Sequence, residues 1–286
     1  MDFIITVFLP LTLAIIMFSL GLGLTVGDFL NVARKPKAFT IGYLLQVIAL
    51  PVVAYLIATN IGLSSELAFG LMILALCPGG PTSNLFSKLA HGDVALSVAL
   101  TAIVSLTSIF TLPLFIAMFA NAFANAEIPR IDVTSLTLTM VFVTAIPIAL
   151  GMIVKSFFKH AAFLETVTTK IATGLIIVII VSAVTANWGL FIENLGVIGP
   201  AVTLLLISMT ILGTFVSQVA GLSASQTTSI AIETSIQNGT LGIAVGSLIV
   251  GNQAGLPGFS LPSALYGILM YAVVAPFVIW RRSIRN

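Results

Sequence analysis

The sequence predicts an all-α polytopic membrane protein, and three observations carry that prediction. The mean hydropathy is +1.20. Charged residues make up only 7% of the chain and hydrophobic residues 59%, too little charge to cover a water-exposed surface. The apolar residues also fall in runs of about 20 or more, the length that crosses the hydrocarbon layer as a helix. With 286 residues the chain accommodates about eight to ten such helices and no sizeable domain outside the bilayer. A single cysteine, Cys77, excludes an intramolecular disulfide and any multi-cysteine metal site.

Taken in order, the runs predict nine spans: 3–26, 38–59, 66–90, 94–120, 133–155, 163–187, 195–219, 226–250 and 259–280. The first lacks a basic leader, carrying Asp2 instead, and is too long for a signal-peptide core, so it reads as a retained helix. Gly27, Gly62, Pro129 and Pro257 punctuate the run ends. An odd number of spans puts the termini on opposite sides. With the N-terminus outside, the inner segments collect Arg34, Lys35, Lys37, Lys88, Lys155, Lys159, Lys170, Arg281, Arg282 and Arg285, leaving only Arg130 outside. Basic residues gather on the cytoplasmic side, so the expected topology is N-out and C-in. Trp188 and Trp280 fall at interfacial positions. The setting expected is a bacterial inner membrane.

The same count isolates one acid. Asp2, Glu66, Glu127, Asp132 and Glu193 lie at outer ends, and Asp28, Asp93 and Glu165 in inner loops; Glu233 alone lies deep within a span. A carboxylate at that depth costs roughly 2.5–3.5 kcal/mol on insertion scales, which marks it as functional and in need of a partner. It belongs to the stretch SIAIETSIQNGTLG (229–242), where Asn238-Gly239 interrupts the helical run. Span three carries the other severe interruption, Cys77-Pro78-Gly79-Gly80-Pro81, followed by Thr82, Ser83 and Asn84. Proline has no N–H and clashes with the preceding turn, so the backbone groups freed there need partners inside protein or on an ion. Spans three and eight run in opposite directions. Two broken spans so related are the signature of inverted-topology repeats, here about 1–126 and 127–286, with ions and substrate bound where the breaks cross.

The motifs CPGGPTSN and GDVALSVALT, then IETSIQNG, together resemble the bile acid:sodium symporter family; the likeness runs from MFSLGLGLTVGDF in the first span to the last span. The resemblance implies a core domain of spans two to four and seven to nine against a panel of spans one, five and six. It implies two sodium ions behind the crossing. The first would be held by Ser83, Asn84, Ser97, Thr101 and Glu233; the second by Gln46, Glu233 and Gln237 with the backbone carbonyls of Thr234 and Ile236. Residue chemistry agrees, because a hard cation prefers oxygen ligands and Ser97 and Thr101, four apart, share one helix face. Ser105 and Ser108 extend that stripe and read as back-bonding or packing residues. Departures from relatives concern the substrate: Pro81 lacks an amide N–H, Ser235 and Ile236 replace more usual residues, and Met270-Tyr271 stand where some relatives carry a polar pair. Asn238, Thr82, Pro81 and Tyr266 are the candidate substrate-lining residues.

The function expected is sodium-coupled symport of an organic anion, bile-acid-like or a small carboxylate, by alternating access. The alternative within the same fold is a proton-coupled transporter or an exporter with Glu233 as the carrier. An aspartyl enzyme needs two acids in one site and a zinc enzyme needs clustered histidine or cysteine; neither pattern occurs, so no catalytic residue is assigned. A passive channel is the remaining class. The partners expected are sodium, the anion and the bilayer, with no nucleic acid and no obligatory protein.

Overall fold

The computed structural model describes residues 9–29, 35–122, 131–250 and 257–284, and among them forms helices and no strand. Eleven helices are labelled in chain order. They are α1 (Leu9–Gly23), α2 (Pro36–Asn60), α3 (Ser65–Leu76), α4 (Pro81–Leu89), α5 (Val94–Ala122) and α6 (Val133–Phe157). Then come α7 (Ala161–Ala186), α8 (Trp188–Val219), α9 (Ala224–Ser235), α10 (Gly239–Val250) and α11 (Leu261–Ser283), the last preceded by a 3-10 turn at Gly258–Ser260. Among the described residues six helices are long and apolar enough to cross a membrane: α2, α5, α6, α7, α8, and α11 with its leading turn. Three shorter apolar helices, Pro10–Gly23, Ser65–Leu76 and Gly239–Ile249, accompany them.

The helix boundaries follow from capping and proline chemistry. Ser64 caps α3 by accepting from Leu67 N. Ser223 and Gln226 form a reciprocal capping box at α9, and Asp132 accepts from Thr134 N and Ser135 N to open α6. Two helices widen into a π-turn just before a proline, α2 at Leu45–Ala49 ahead of Pro51 and α6 at Val141–Ala145 ahead of Pro147. Proline cannot donate to the preceding turn and its ring pushes the carbonyl four residues back, so the ladder opens there.

Three sequence expectations are corrected. Span seven begins at Trp188, not 195, because the segment holding Glu193 continues the helix and Asn194 back-bonds to Leu190 O within it. Glu165 and Lys170 lie on α7 rather than in a loop, with Lys170 solvent-exposed; a long charged side chain reaches outward from a helix flank. Arg281 and Arg282, which follow the expected end of span nine at 280, form the last turn of α11. Arg281 turns inward, donating from Nε to Thr228 Oγ1 (2.8 Å) and from Nη2 to Ala224 O (2.7 Å), so it pins α11 to the start of α9. Pro129, Glu127 and Arg130 lie outside the described residues.

Helices α1, α6 and α7 pack together, and α2–α5 with α8–α11 form the larger assembly; they meet where α1 and α7 touch α10, α7 touches α11 and α5 touches α6. The α1–α6 contact depends on two glycines facing each other's backbone. A Cβ on Gly21 would lie 2.2 Å from Ile148 O, and one on Gly151 would lie 2.4 Å from Phe18 O. Lipid offers no hydrophobic drive for helices to associate, so close backbone approach supplies the contact energy. Gly21→Ala is therefore expected to destabilise the protein by about 1–3 kcal/mol, as overpacking does. Thermal unfolding in detergent checks this, and an unchanged midpoint would contradict the contact.

Candidate functional site

The site is built at two helix breaks that lie side by side. Helix α3 stops at Leu76 and α9 at Ser235, and the next residues, Cys77 and Ile236, both turn extended. Chain direction is then carried by Cys77–Gly80 and Ile236–Asn238 before α4 and α10 begin. The two unwound segments pair as an antiparallel bridge between Gly79 and Gln237, and Asn238 N donates to Pro78 O at 2.9 Å. Backbone groups released by one break are thus partly satisfied by the other, which is how irregular backbone survives in a protein interior. Pro81 stands in the first turn of α4, where its missing N–H leaves no helical bond unmade. Asn238 caps α10 by accepting from Leu241 N at 3.0 Å.

Glu233 lies on the last full turn of α9 and is completely buried. Ser97 Oγ donates to its Oε2 at 2.8 Å and Thr101 Oγ1 donates to its Oε1. Ser97 Oγ also contacts Asn84 Oδ1 at 2.9 Å, and Thr101 Oγ1 lies 3.4 Å from the same oxygen. Ser83 Oγ donates to Gly80 O (2.7 Å) and stands 3.4 Å from Thr101 Oγ1. Four residues from two helices, Ser83 and Asn84 of α4 and Ser97 and Thr101 of α5, thereby bring their side-chain oxygens around the one carboxylate of α9. Together with Glu233 these are the residues that the family resemblance grouped.

A second set surrounds the bridge. Gln46 sits in the π-turn of α2, 2% exposed, and neither its Oε1 nor its Nε2 has a protein partner. A Cβ built on Gly79 would lie 3.1 Å from Gln46 Nε2 and 2.5 Å from Glu233 Oε1, so both side chains approach the face of Gly79 that lacks a side chain. Gln237 folds back to donate from Nε2 to Thr234 O at 3.0 Å, which leaves its own Oε1 buried without a partner. Gln237 stands four residues after Glu233, the spacing of one helix face. However, α9 ends first, and Gln237 reaches the region from extended backbone. A buried polar group left without a partner costs about 1–3 kcal/mol; Gln46 leaves its whole amide and Gln237 its Oε1 so placed near the buried carboxylate, and oxygens of this kind suit a hard cation.

The remaining expectations separate. Tyr266 is fully buried and its hydroxyl donates to Ser235 O at 2.7 Å, satisfying a carbonyl freed at the end of α9. Thr82 lies half-buried in the first turn of α4 and its side chain pairs with that of Tyr271, whose ring stacks on Phe86. Asn238 Nδ2 is buried and lacks a partner. Thr234 Oγ1 back-bonds to Ile230 O at 2.9 Å and Ile236 is completely buried. Ser108 back-bonds to Ser105 O, as the stripe suggested, whereas Ser105 Oγ has no partner.

Sequence reasoning missed Ser87, Ser229 and the close approaches at Gly42 and Gly213. Ser87 Oγ donates to Ser97 Oγ at 3.2 Å; its position four residues after Ser83, on the same face of α4, was the available signal. A Cβ on Gly42 would lie 2.7 Å from Leu100 Cδ1, and one on Gly213 would lie 2.7 Å from Thr234 Oγ1. These glycines let α2 and α8 close on the helices that carry the site.

Residues 10–194 match the model of the sodium bile acid symporter family. The chain is 32% identical over 272 residues to an uncharacterised sodium-dependent transporter of Bacillus subtilis, covering 92% of this chain and 79% of that one. It is 28% identical over 272 residues to a chloroplastic protein of Arabidopsis thaliana named probable sodium/metabolite cotransporter, covering 95% of this chain and 66% of that protein's length. With the rabbit ileal sodium/bile acid cotransporter it shares 25% identity over 279 residues, 96% of this chain and 79% of the other.

Proposed function

The chain belongs to the sodium bile acid symporter family, and from that premise we propose that it is a secondary transporter coupling two sodium ions to uptake of an organic anion. The observation that carries the reading is the set of buried amide groups without a protein partner, both ends of Gln46 and the Oε1 of Gln237, beside the one buried carboxylate among the described residues. Ser83, Asn84, Ser97, Thr101 and Glu233 hold the first ion. Gln46, Glu233 and Gln237, with the carbonyls of Thr234 and Ile236, hold the second. The donor set fits sodium: neutral oxygens in number, and one carboxylate shared by two monovalent charges. The nine-span count, the inverted repeats about 1–126 and 127–286, the N-out orientation and a bacterial inner membrane belong to the same reading.

The starts of α4 and α10 converge on the crossing, and helix N-termini favour an anion. The partnerless Asn238 Nδ2 together with Thr82 and the backbone around Pro81 would receive it, while Tyr266 holds the break in shape from behind. Helices α1, α6 and α7 act as the panel against which the remaining helices rock, exposing the crossing to each side in turn.

Two ions suffice energetically. Under a tenfold sodium gradient and 100 mV, each ion supplies about 1.4 kcal/mol from concentration and about 2.3 from potential. A monoanion costs about 2.3 kcal/mol against the potential, leaving roughly 5, which sets an accumulation limit of several thousandfold. With one ion the electrical contributions cancel and about tenfold remains. The test is uptake of a labelled bile acid and a labelled short carboxylate by proteoliposomes. Accumulation is expected with external sodium and not with potassium or choline; indifference to that replacement would overturn the reading. Gln46→Leu is expected to reduce the ceiling from the two-ion toward the one-ion limit, read as the steady-state accumulation ratio.

A further inference from the structure

The four helices that carry the proposed ion ligands, α2, α4, α5 and α9, are joined at one place. It is the turn His91-Gly92-Asp93, remote from the ligands themselves. His91 takes a left-handed backbone (φ 53°), which reverses the chain tightly between α4 and α5. Gly92 N donates to Ser87 O on α4 at 2.7 Å. Asp93 N donates to Ser225 O on α9 at 3.1 Å, and Asp93 O accepts from both Ser97 N on α5 (3.1 Å) and Ser229 Oγ on α9 (2.9 Å). The carboxylate of Asp93 divides its work: Oδ1 caps α5 through Leu96 N at 3.2 Å, and Oδ2 pairs with Lys35 Nζ at 2.5 Å. Lys35 immediately precedes α2. The contact is close enough that a Cβ on Gly92 would stand 2.5 Å from Ser229 Oγ and 3.0 Å from Ser87 O.

Each tie lies a whole number of turns from a ligand. Ser229 is one turn before Glu233, Asp93 is one and two turns before Ser97 and Thr101, and Ser87 is one turn after Ser83. Lys35 lies about three turns before Gln46. Helices are stiff over such distances, so their register at the turn is transmitted to the crossing. The main-chain ties fix α4, α5 and α9. At this turn the ion pair adds α2, the helix that brings Gln46 and that also packs on α5 and α9 where Gly42 meets Leu100 and Ile230. We propose, on the sodium-coupled reading above, that Asp93 and Lys35 form a clasp that positions the ligand-bearing helices and sets sodium affinity, without touching an ion.

The side chains of Lys35 and Asp93 are 38% and 11% exposed, so water screens the pair only partly. An ion pair so placed corresponds to about a fivefold effect. The experiment is a sodium titration of thermal stability on the whole purified protein, with choline chloride replacing sodium chloride at constant ionic strength, since a surface pair weakens with salt. Lys35→Gln and Asp93→Asn are each expected to raise the half-saturating sodium concentration about fivefold. The asparagine retains the cap at Leu96. The double variant should be no worse than either single one, because the two changes break the same interaction. Lys35→Arg should restore the wild-type value. A merely structural tie would instead lower the unfolding midpoint in choline and leave half-saturation unmoved. Unchanged half-saturation in Lys35→Gln, or effects that multiply in the double variant, would overturn the clasp while leaving the transporter reading standing. A wild-type protein that shows no sodium response would overturn both.

Discussion

Glu233→Gln is expected to abolish the stabilisation by sodium and sodium-driven uptake together, while the sodium-free protein stays folded. The side chain is completely buried, and Ser97 and Thr101 direct their hydroxyls at its two oxygens. The glutamine has the same shape but no charge. Removing one partner of a buried charge pair costs about 3–5 kcal/mol, which is at least about a hundredfold in affinity. Because the carboxylate borders both Asn84 and Ser97 on one side and the Gly79–Gln46 contact on the other, both ions should be lost rather than one. Without sodium the sign differs: a neutral amide avoids the desolvation that a buried carboxylate suffers, and the facing hydroxyls can rotate to accept. The unfolding midpoint in choline should therefore match or exceed that of the wild type. A variant that retained the wild-type sodium titration would show that the carboxylate is not the shared ligand.

The second large effect is expected from a single methyl group. Gly79→Ala would place Cβ 2.5 Å from Glu233 Oε1, 3.3 Å from its Cδ and 3.1 Å from Gln46 Nε2. These are side-chain ends, but the carboxylate is held by Ser97 and Thr101 and has little room to withdraw. The methyl fills the space between carboxylate and amide, where the second ion would sit. Overpacking of this kind costs about 1–3 kcal/mol, so sodium affinity should fall roughly tenfold or more. Gly80→Ala is the control. Its φ of −103° suits any residue, and a Cβ there would meet nothing closer than Thr82 Oγ1 at 3.6 Å. Sodium titrations of the two variants in parallel should separate them; equal losses would mean that flexibility of the break, rather than the space at Gly79, controls binding.

Much of this site was legible because membrane burial makes polar residues conspicuous. Glu233 was singled out by depth alone, and Pro78 and Pro81 announced a broken helix with no knowledge of its neighbours. The i, i+4 spacing of Ser97 and Thr101 gave their common face, and both indeed meet Glu233. Other features carried no local signal. Gln237 lies four residues after Glu233, but the helix ends at Ser235, and spacing cannot say which side of a helix end a residue occupies. Tyr266 was a candidate for lining the substrate site, and its hydrogen bond to Ser235 O joins residues 31 positions apart that no local spacing relates. Arg281 counted as one more basic residue near the terminus, and its burial against Thr228 depends on where α9 begins.

By itself, then, the sequence determined the class of molecule, the positions of the breaks and the chemical character of the residues beside them. Those follow from local physics: apolar run length, the missing N–H of proline and the cost of a buried charge. Which groups meet follows from how the helices pack. The pairing of Gly79 with Gln237, the placement of Gln46 against Gly79, and the joining of four helices at Asp93 link residues that are tens to more than a hundred positions apart. No spacing rule relates such residues, because their distances are set by how helices pack and by which glycines let backbones approach.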